Sequence, residues 1–224
     1  MVDYRKTTVL AAIAILALVP LAACSSDNKE STSSGTSAVT TTTAAPKPAA
    51  QIDALTGKST AVALDKGFTD ALTSLGLAPG GIGTATLDNG SVSFPITGGH
   101  VKYYTPGTVN PYVQGDINHN GSGLSLTAGP TTVQLTNFDI DPGTSVLYGE
   151  VSVNGTPAAT HALLFDLDGS TLKPLQAGAD NTAILEGTRV LVSKDAAALL
   201  NKTFNTDAVK AGLLVGIATI TLNK

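Results

Sequence analysis

The side chains able to do chemistry are few and scattered. The 224 residues include three histidines, one cysteine, five tyrosines and no tryptophan. His100, His119 and His161 fall among β-prone segments without metal-ligand spacing. There is no Gly-x-Ser-x-Gly elbow, no His-Glu-x-x-His helix and no Walker loop. A single cysteine excludes an internal disulfide and any cysteine-based zinc or dithiol site. Two acidic runs look alike, Phe138-Asp139-Ile140-Asp141-Pro142-Gly143 and Phe165-Asp166-Leu167-Asp168-Gly169. Aspartates two apart share one face of a strand, so each pair offers oxygens to Ca2+. A calcium site takes about six oxygens, and strands ending in acidic turns account for both runs more simply. No nucleophile–base pair can be named, so the chain is not expected to be an enzyme. A hydrolase working through a carboxylate dyad would leave no local signature and stays as an alternative.

Cys24 is the exception to this scatter. Arg5 and Lys6 precede an unbroken apolar run from Val9 to Pro20. That run is shorter than the roughly 20 residues a permanent span needs, and it fits the h-region of a secretory signal. Leu21-Ala22-Ala23-Cys24 then resembles the lipobox of bacterial lipoproteins. The resemblance implies cleavage before Cys24 and diacylglyceryl attachment to its thiol. Two acyl chains anchor stably where one holds marginally.

Three regions follow from this: a signal peptide over 1–23, a lipidated cysteine and tether over 24–51, and one exported domain over 52–224. The tether is rich in Ser, Thr and Pro, including Thr40-Thr41-Thr42-Thr43. It cannot bury enough apolar surface to offset its chain entropy, so disorder is expected. Its composition also suits an O-glycosylated stalk, and an unmodified linker is equally consistent. Without residues 1–23 the chain carries 11 basic against 16 acidic side chains, a charge of −5. No basic patch exists for nucleic acid or for anionic lipid headgroups.

The domain reads as mainly β, an antiparallel sandwich or barrel-like sheet with two short helices. Ser91–Ile96 alternates and is closed by Gly98-Gly99; Gly123–Thr127 alternates and turns at Gly129-Pro130. Val133–Ile140 alternates through four apolar positions and turns at Asp141-Pro142-Gly143. Val151-Ser152-Val153 ends in the hairpin signal Asn154-Gly155, and Ile217–Leu222 makes a final strand. Helical spacing of Phe68, Ala71, Leu72 and Leu75 predicts a helix from Asp65 to Leu77. Ser193 is a good N-cap for a second, Ala/Leu-rich helix ending at Phe204. Both helices are expected to cover an open end or edge of the sheet.

From Val92 onward the order of elements distantly resembles the HtaA-type domains of actinobacterial envelope proteins. The matching stretches are Ser93–Gly99, Asn118–Leu126, Val146–Val151 and the late helix ending in Phe204. The resemblance implies a β-rich, haem-binding module, with His119 in the position of a haem-pocket histidine and Tyr148 matching a family tyrosine. The family's Trp-containing first strand and its iron-ligating tyrosine have no counterpart here. Tyr103, Tyr104 and Tyr112 lie near His119 in sequence and are further candidate ligands. Ordinary roles for all of them are a strand pair, a turn and a hairpin loop.

The expectation is therefore a lipid-anchored envelope protein on the extracytoplasmic face of the cell membrane. It would display a non-catalytic binding or structural domain for an envelope component, a small apolar ligand or another protein. No cofactor is expected beyond the haem of the alternative reading.

Overall fold

The computed structural model describes residues 45–224; the signal, Cys24 and most of the tether lie outside the described residues. Thirteen antiparallel strands form one sheet curled into a half-barrel. They are β1 (Ala50–Ile52), β2 (Lys58–Leu64), β3 (Ala78–Gly83), β4 (Thr86–Asp88), β5 (Ser91–Pro95), β6 (Gly98–Tyr103), β7 (Val113–Ala128), β8 (Thr131–Asp141), β9 (Val146–Val153), β10 (Thr156–Asp168), β11 (Gln176–Ala177), β12 (Thr182–Val192) and β13 (Leu214–Asn223). The strand order is β1-β6-β7-β8-β9-β10-β12-β13-β2-β5-β4, with β3 on β7 and β11 on β12. The ordered sheet starts at Ala50, which pairs with Tyr103 two residues before the expected domain boundary.

Both expected helices form. In α1 (Lys66–Ser74) the Asp65 carboxylate accepts the Gly67 N–H, and Gly76 follows in a left-handed conformation. In α2 (Lys194–Phe204) the Ser193 hydroxyl accepts the Ala196 N–H and donates to the Leu163 carbonyl. Asn205 then ends the helix in the left-handed region. Phe68 of α1 with Ala196 and Leu200 of α2 fills the inside of the curl against Leu126, Leu135 and Leu164. Burying one such large apolar side chain stabilises the fold by roughly 1.5–3 kcal/mol.

Two details of the expected pattern differ. Gly98-Gly99 does not close β5 but opens β6. The chain runs on extended between them, with Ile96 N–H donating to the Lys58 carbonyl and Thr97 N–H to that of Asn118. Nor does β8 alternate throughout. Val133 and Leu135 point inward, Asn137 adopts φ 52°, and Phe138 and Ile140 resume on the opposite phase. The extra residue is a β-bulge, which bends a strand and resets which side chains face in.

Similar breaks recur on neighbouring strands. In β7 the residues between His119 and Gly123 leave the ladder, and the inward phase passes from Ile117 and His119 to Ser122, Leu124 and Leu126. In β10 a register shift between Leu163 and Phe165 turns Leu164 toward α2 and Leu167 toward the other end, with Phe165 bordering both. The Gly121 N–H donates to Asn137 Oδ1 at 2.8 Å, locking the β7 and β8 bulges together. A belt of irregularity thus divides the interior into an end filled by the two α-helices and an end that no α-helix enters, bordered only by the 3-10 turn Gly169–Thr171.

Candidate ligand pocket

The end without α-helices is hollow. A cavity of about 390 Å3 lies there, within the range of small-molecule sites. Its walls come from inward positions of β2, β5, β7, β8, β9, β10, β12 and β13, among them Val62, Phe94, Ile117, Phe138, Leu147 and Ile220. Its rim is made of loop residues: Asn110 and Pro111 before β7, Pro142 and Ser145 between β8 and β9, and Gly169, Ser170 and Leu172 after β10. No Asp, Glu, Lys or Arg is among the lining residues.

Two buried polar side chains meet in the wall. His119 is 1% exposed and Thr60 4%. His119 Nδ1 lies 3.3 Å from the Phe138 carbonyl and Nε2 lies 2.9 Å from Thr60 Oγ1. A carbonyl can only accept, so Nδ1 carries the proton and Nε2 accepts from the Thr60 hydroxyl. Burial pushes the His119 pKa down to about 4, against the smaller opposing effect of the Phe138 and Ile117 carbonyls. The ring is therefore neutral at pH 7. Phe94 meets it edge-on at 6.4 Å and meets Phe138 edge-on at 5.0 Å. β7 and β2 are far apart in strand order, so the His119–Thr60 bond joins two separated parts of the curl across its interior.

The sequence candidates divide. His119 and Tyr112 border the cavity. Tyr103 packs edge-on against Tyr112 with ring centroids 5.7 Å apart, and burial followed by that neighbour raises the Tyr112 pKa. Tyr104 is not in the lining, although its backbone N–H donates to the Tyr112 carbonyl at 2.7 Å. Tyr148 follows the inward Leu147 and so points to the outer face, where it stacks on exposed His161 at 4.2 Å. His100 pairs with Asp116 at the surface.

The acidic runs end in turns, as their simpler reading has it. Asp141 accepts the Thr144 N–H, and Asp168 accepts the Ser170 N–H. Ser170, and after it Arg189 at 2.8 Å, hold the Asp168 carboxyl below its ordinary range. Asp139 is shifted upward by burial and by nearby Asp116. Among the described residues, no group of three His, Asp or Glu side chains is arranged to hold a metal ion.

Thr60 is the candidate site residue that sequence reading missed. It occupies the inward phase of Thr60-Val62-Leu64, but the intervening Ala61 and Ala63 are also apolar and mask the alternation. A polar residue sharing a phase with Val and Leu was the available signal.

Haem can be tested against these groups. Ligation through His119 does not fit the arrangement, because its only lone pair already accepts from Thr60. Tyr112 is the one phenol on the wall, and no cation borders the cavity to meet propionates. The sole arginine among the described residues, Arg189, is engaged by Asp168.

No protein-family model matches the chain, and no curated protein matches it. Among solved structures it is similar to the C-terminal domain of HtaA from Corynebacterium glutamicum, with a TM-score of 0.53 and 16% identity, covering 75% of this chain and 97% of that one. A domain-swapped dimer of a histidine-to-alanine variant of the same domain gives a TM-score of 0.46 at 16% identity, covering 70% and 91%. The resemblance read from the order of elements holds as a resemblance of fold.

Proposed function

We propose that this protein is a lipid-anchored envelope component whose β-rich domain binds a small apolar molecule without transforming it. The observation that carries this reading is the uncharged cavity left open at one end of a core otherwise closed by two helices. Cys24, at the lipobox position, would attach it to the extracytoplasmic face of the membrane. No Asp, Glu, Lys or Arg borders the cavity, and the one histidine in its wall has both ring nitrogens engaged, by the Phe138 carbonyl and the Thr60 hydroxyl.

The test is saturable one-to-one binding of N-phenyl-1-naphthylamine, an uncharged fluorophore, by the full chain. Fluorescence should rise on binding and fall away in Ala218→Phe, which fills the cavity from β13. Absence of saturable binding overturns the reading. Haemin titration addresses the alternative that the HtaA resemblance implies. A Soret shift lost in Tyr112→Phe would move the assignment to haem; no such shift is expected. For the anchor, intact mass of the membrane-associated protein should show added acyl chains that vanish in Cys24→Ala.

A further inference from the structure

Resting on the reading of an apolar pocket, the hydrogen-bond polarity of its wall narrows the ligand class. Thr60 Oγ1 spends its proton on His119 Nε2, and His119 Nδ1 spends its own on the Phe138 carbonyl. The pair then has no donor left. What remains is the accepting capacity of the Thr60 hydroxyl oxygen. The third fully buried polar side chain nearby, Ser122, donates to the His119 carbonyl at 3.0 Å and is likewise spent.

No lining side chain carries a charge, and the donors of the lining, Asn110, Tyr112, Ser145, Ser170 and Thr188, belong to partly or fully exposed residues, so a ligand carboxylate or phosphate drawn to the buried Thr60–His119 pair would lose water with no donor there to replace it. Arg189, next to the wall residue Thr188 of β12, is held by Asp168. We infer that the pocket selects an uncharged apolar molecule whose one buried polar group is a hydroxyl donor, a long-chain alcohol or hydroxylated neutral lipid, and discriminates against the corresponding acid.

The discriminating ligands are decan-1-ol, decanoate and 1-methoxydecane, competed against N-phenyl-1-naphthylamine on the full chain at pH 8. The ether keeps the oxygen as acceptor and replaces the donated proton by a methyl group, whose own burial would favour the ether. Decan-1-ol should displace the fluorophore at about tenfold lower concentration than decanoate or better. It should outcompete the ether by roughly fivefold, the worth of one neutral hydrogen bond. Thr60→Ser should keep the alcohol–ether gap, and Thr60→Val combined with His119→Phe, which removes both acceptors of the pair, should close it, with circular dichroism confirming that each variant folds. If the double variant does not fold, the three-ligand series on the unaltered chain decides alone. Decanoate competing as well as the alcohol, or the ether matching it, overturns the inference while leaving the pocket intact. Failure of the fluorophore to bind at all overturns the pocket itself.

Discussion

The two ends of the half-barrel are built from the same strands and end differently. Above the bulge belt, Leu124, Leu126, Leu135 and Leu164 meet Phe68, Ala196 and Leu200, and the space is nearly filled. Below it, Ile117, Phe138, Ile140, Phe165 and Leu167 surround about 390 Å3 of cavity. The apolar side chains are no smaller there. What differs is that no α-helix descends into that half, where only the short 3-10 turn Gly169–Thr171 borders the cavity, and that the bulges turn a second set of side chains onto its wall. A hollow in a protein core costs dispersion contacts, and on the proposed reading that cost is kept at this end for a ligand.

Truncation should break the symmetry most strongly. Phe68→Ala in the filled end should cost about 3–5 kcal/mol. Leu167→Ala on the cavity wall should cost only about 1–2 kcal/mol, because half its surroundings are already empty. Urea denaturation of both variants checks this, and equal losses would mean that the cavity collapses in solution.

The next effect comes from the residue at the belt. His119 has a folded pKa of about 4 against an ordinary 6.5. Between those values the unfolded chain binds more protons than the folded one, so stability rises with pH through this window. This contribution is fully present above pH 6.5 and is lost as pH falls toward 4. The swing is on the order of 3 kcal/mol. Comparing the pH dependence of unfolding in the unaltered chain and in His119→Gln isolates it; identical slopes between pH 4 and 6.5 would show that His119 is not buried neutral.

Enlarging a residue should separate the ends in opposite directions. Ala196→Leu in α2 overpacks the filled end and should cost about 1–3 kcal/mol. Ala218→Leu on the cavity wall should be neutral or stabilising by up to about 1 kcal/mol while weakening fluorophore binding. Thermal melts with and without the fluorophore read both. The last effect is that of the cap: Ser193→Ala frees the Ala196 N–H and Leu163 carbonyl and should cost about 1–2 kcal/mol. Because α2 closes only the filled end, binding should survive this loss, and a parallel fall in affinity would show that the two ends are coupled.

Much of the filled end was legible. Ser193 before an Ala/Leu run, and Phe68 and Leu72 at helical spacing, are local signals that act within a few residues. The hairpin at Asn154-Gly155 was equally local, with φ of 51° and 77° at the two turn residues. The hollow end was not legible, because its parts come from eight strands brought together by long-range register. Even so, part of the belt was written in the chain: the step from Val133 and Leu135 to Phe138 and Ile140 is a change of phase at Asn137. Gly149 completes the point, since a Cβ there would sit 2.7 Å from Leu164 Cδ1 and 3.0 Å from Phe138 Cδ1, one contact from each end of the interior. The pairing of His119 with Thr60 spans 59 positions, and no local pattern announces it.

The first strand bears on how a ligand arrives. Ala49 donates its N–H to the Tyr103 carbonyl, Tyr103 packs on Tyr112, and Tyr112 borders the cavity. The chain therefore enters the domain beside the rim through which a guest would enter. For a protein held by an acylated N-terminus, the leash is fastened next to the door. A molecule partitioned into the bilayer would then be captured by a search confined to two dimensions, with its local concentration set by the length of that leash and not by its scarce solubility in water.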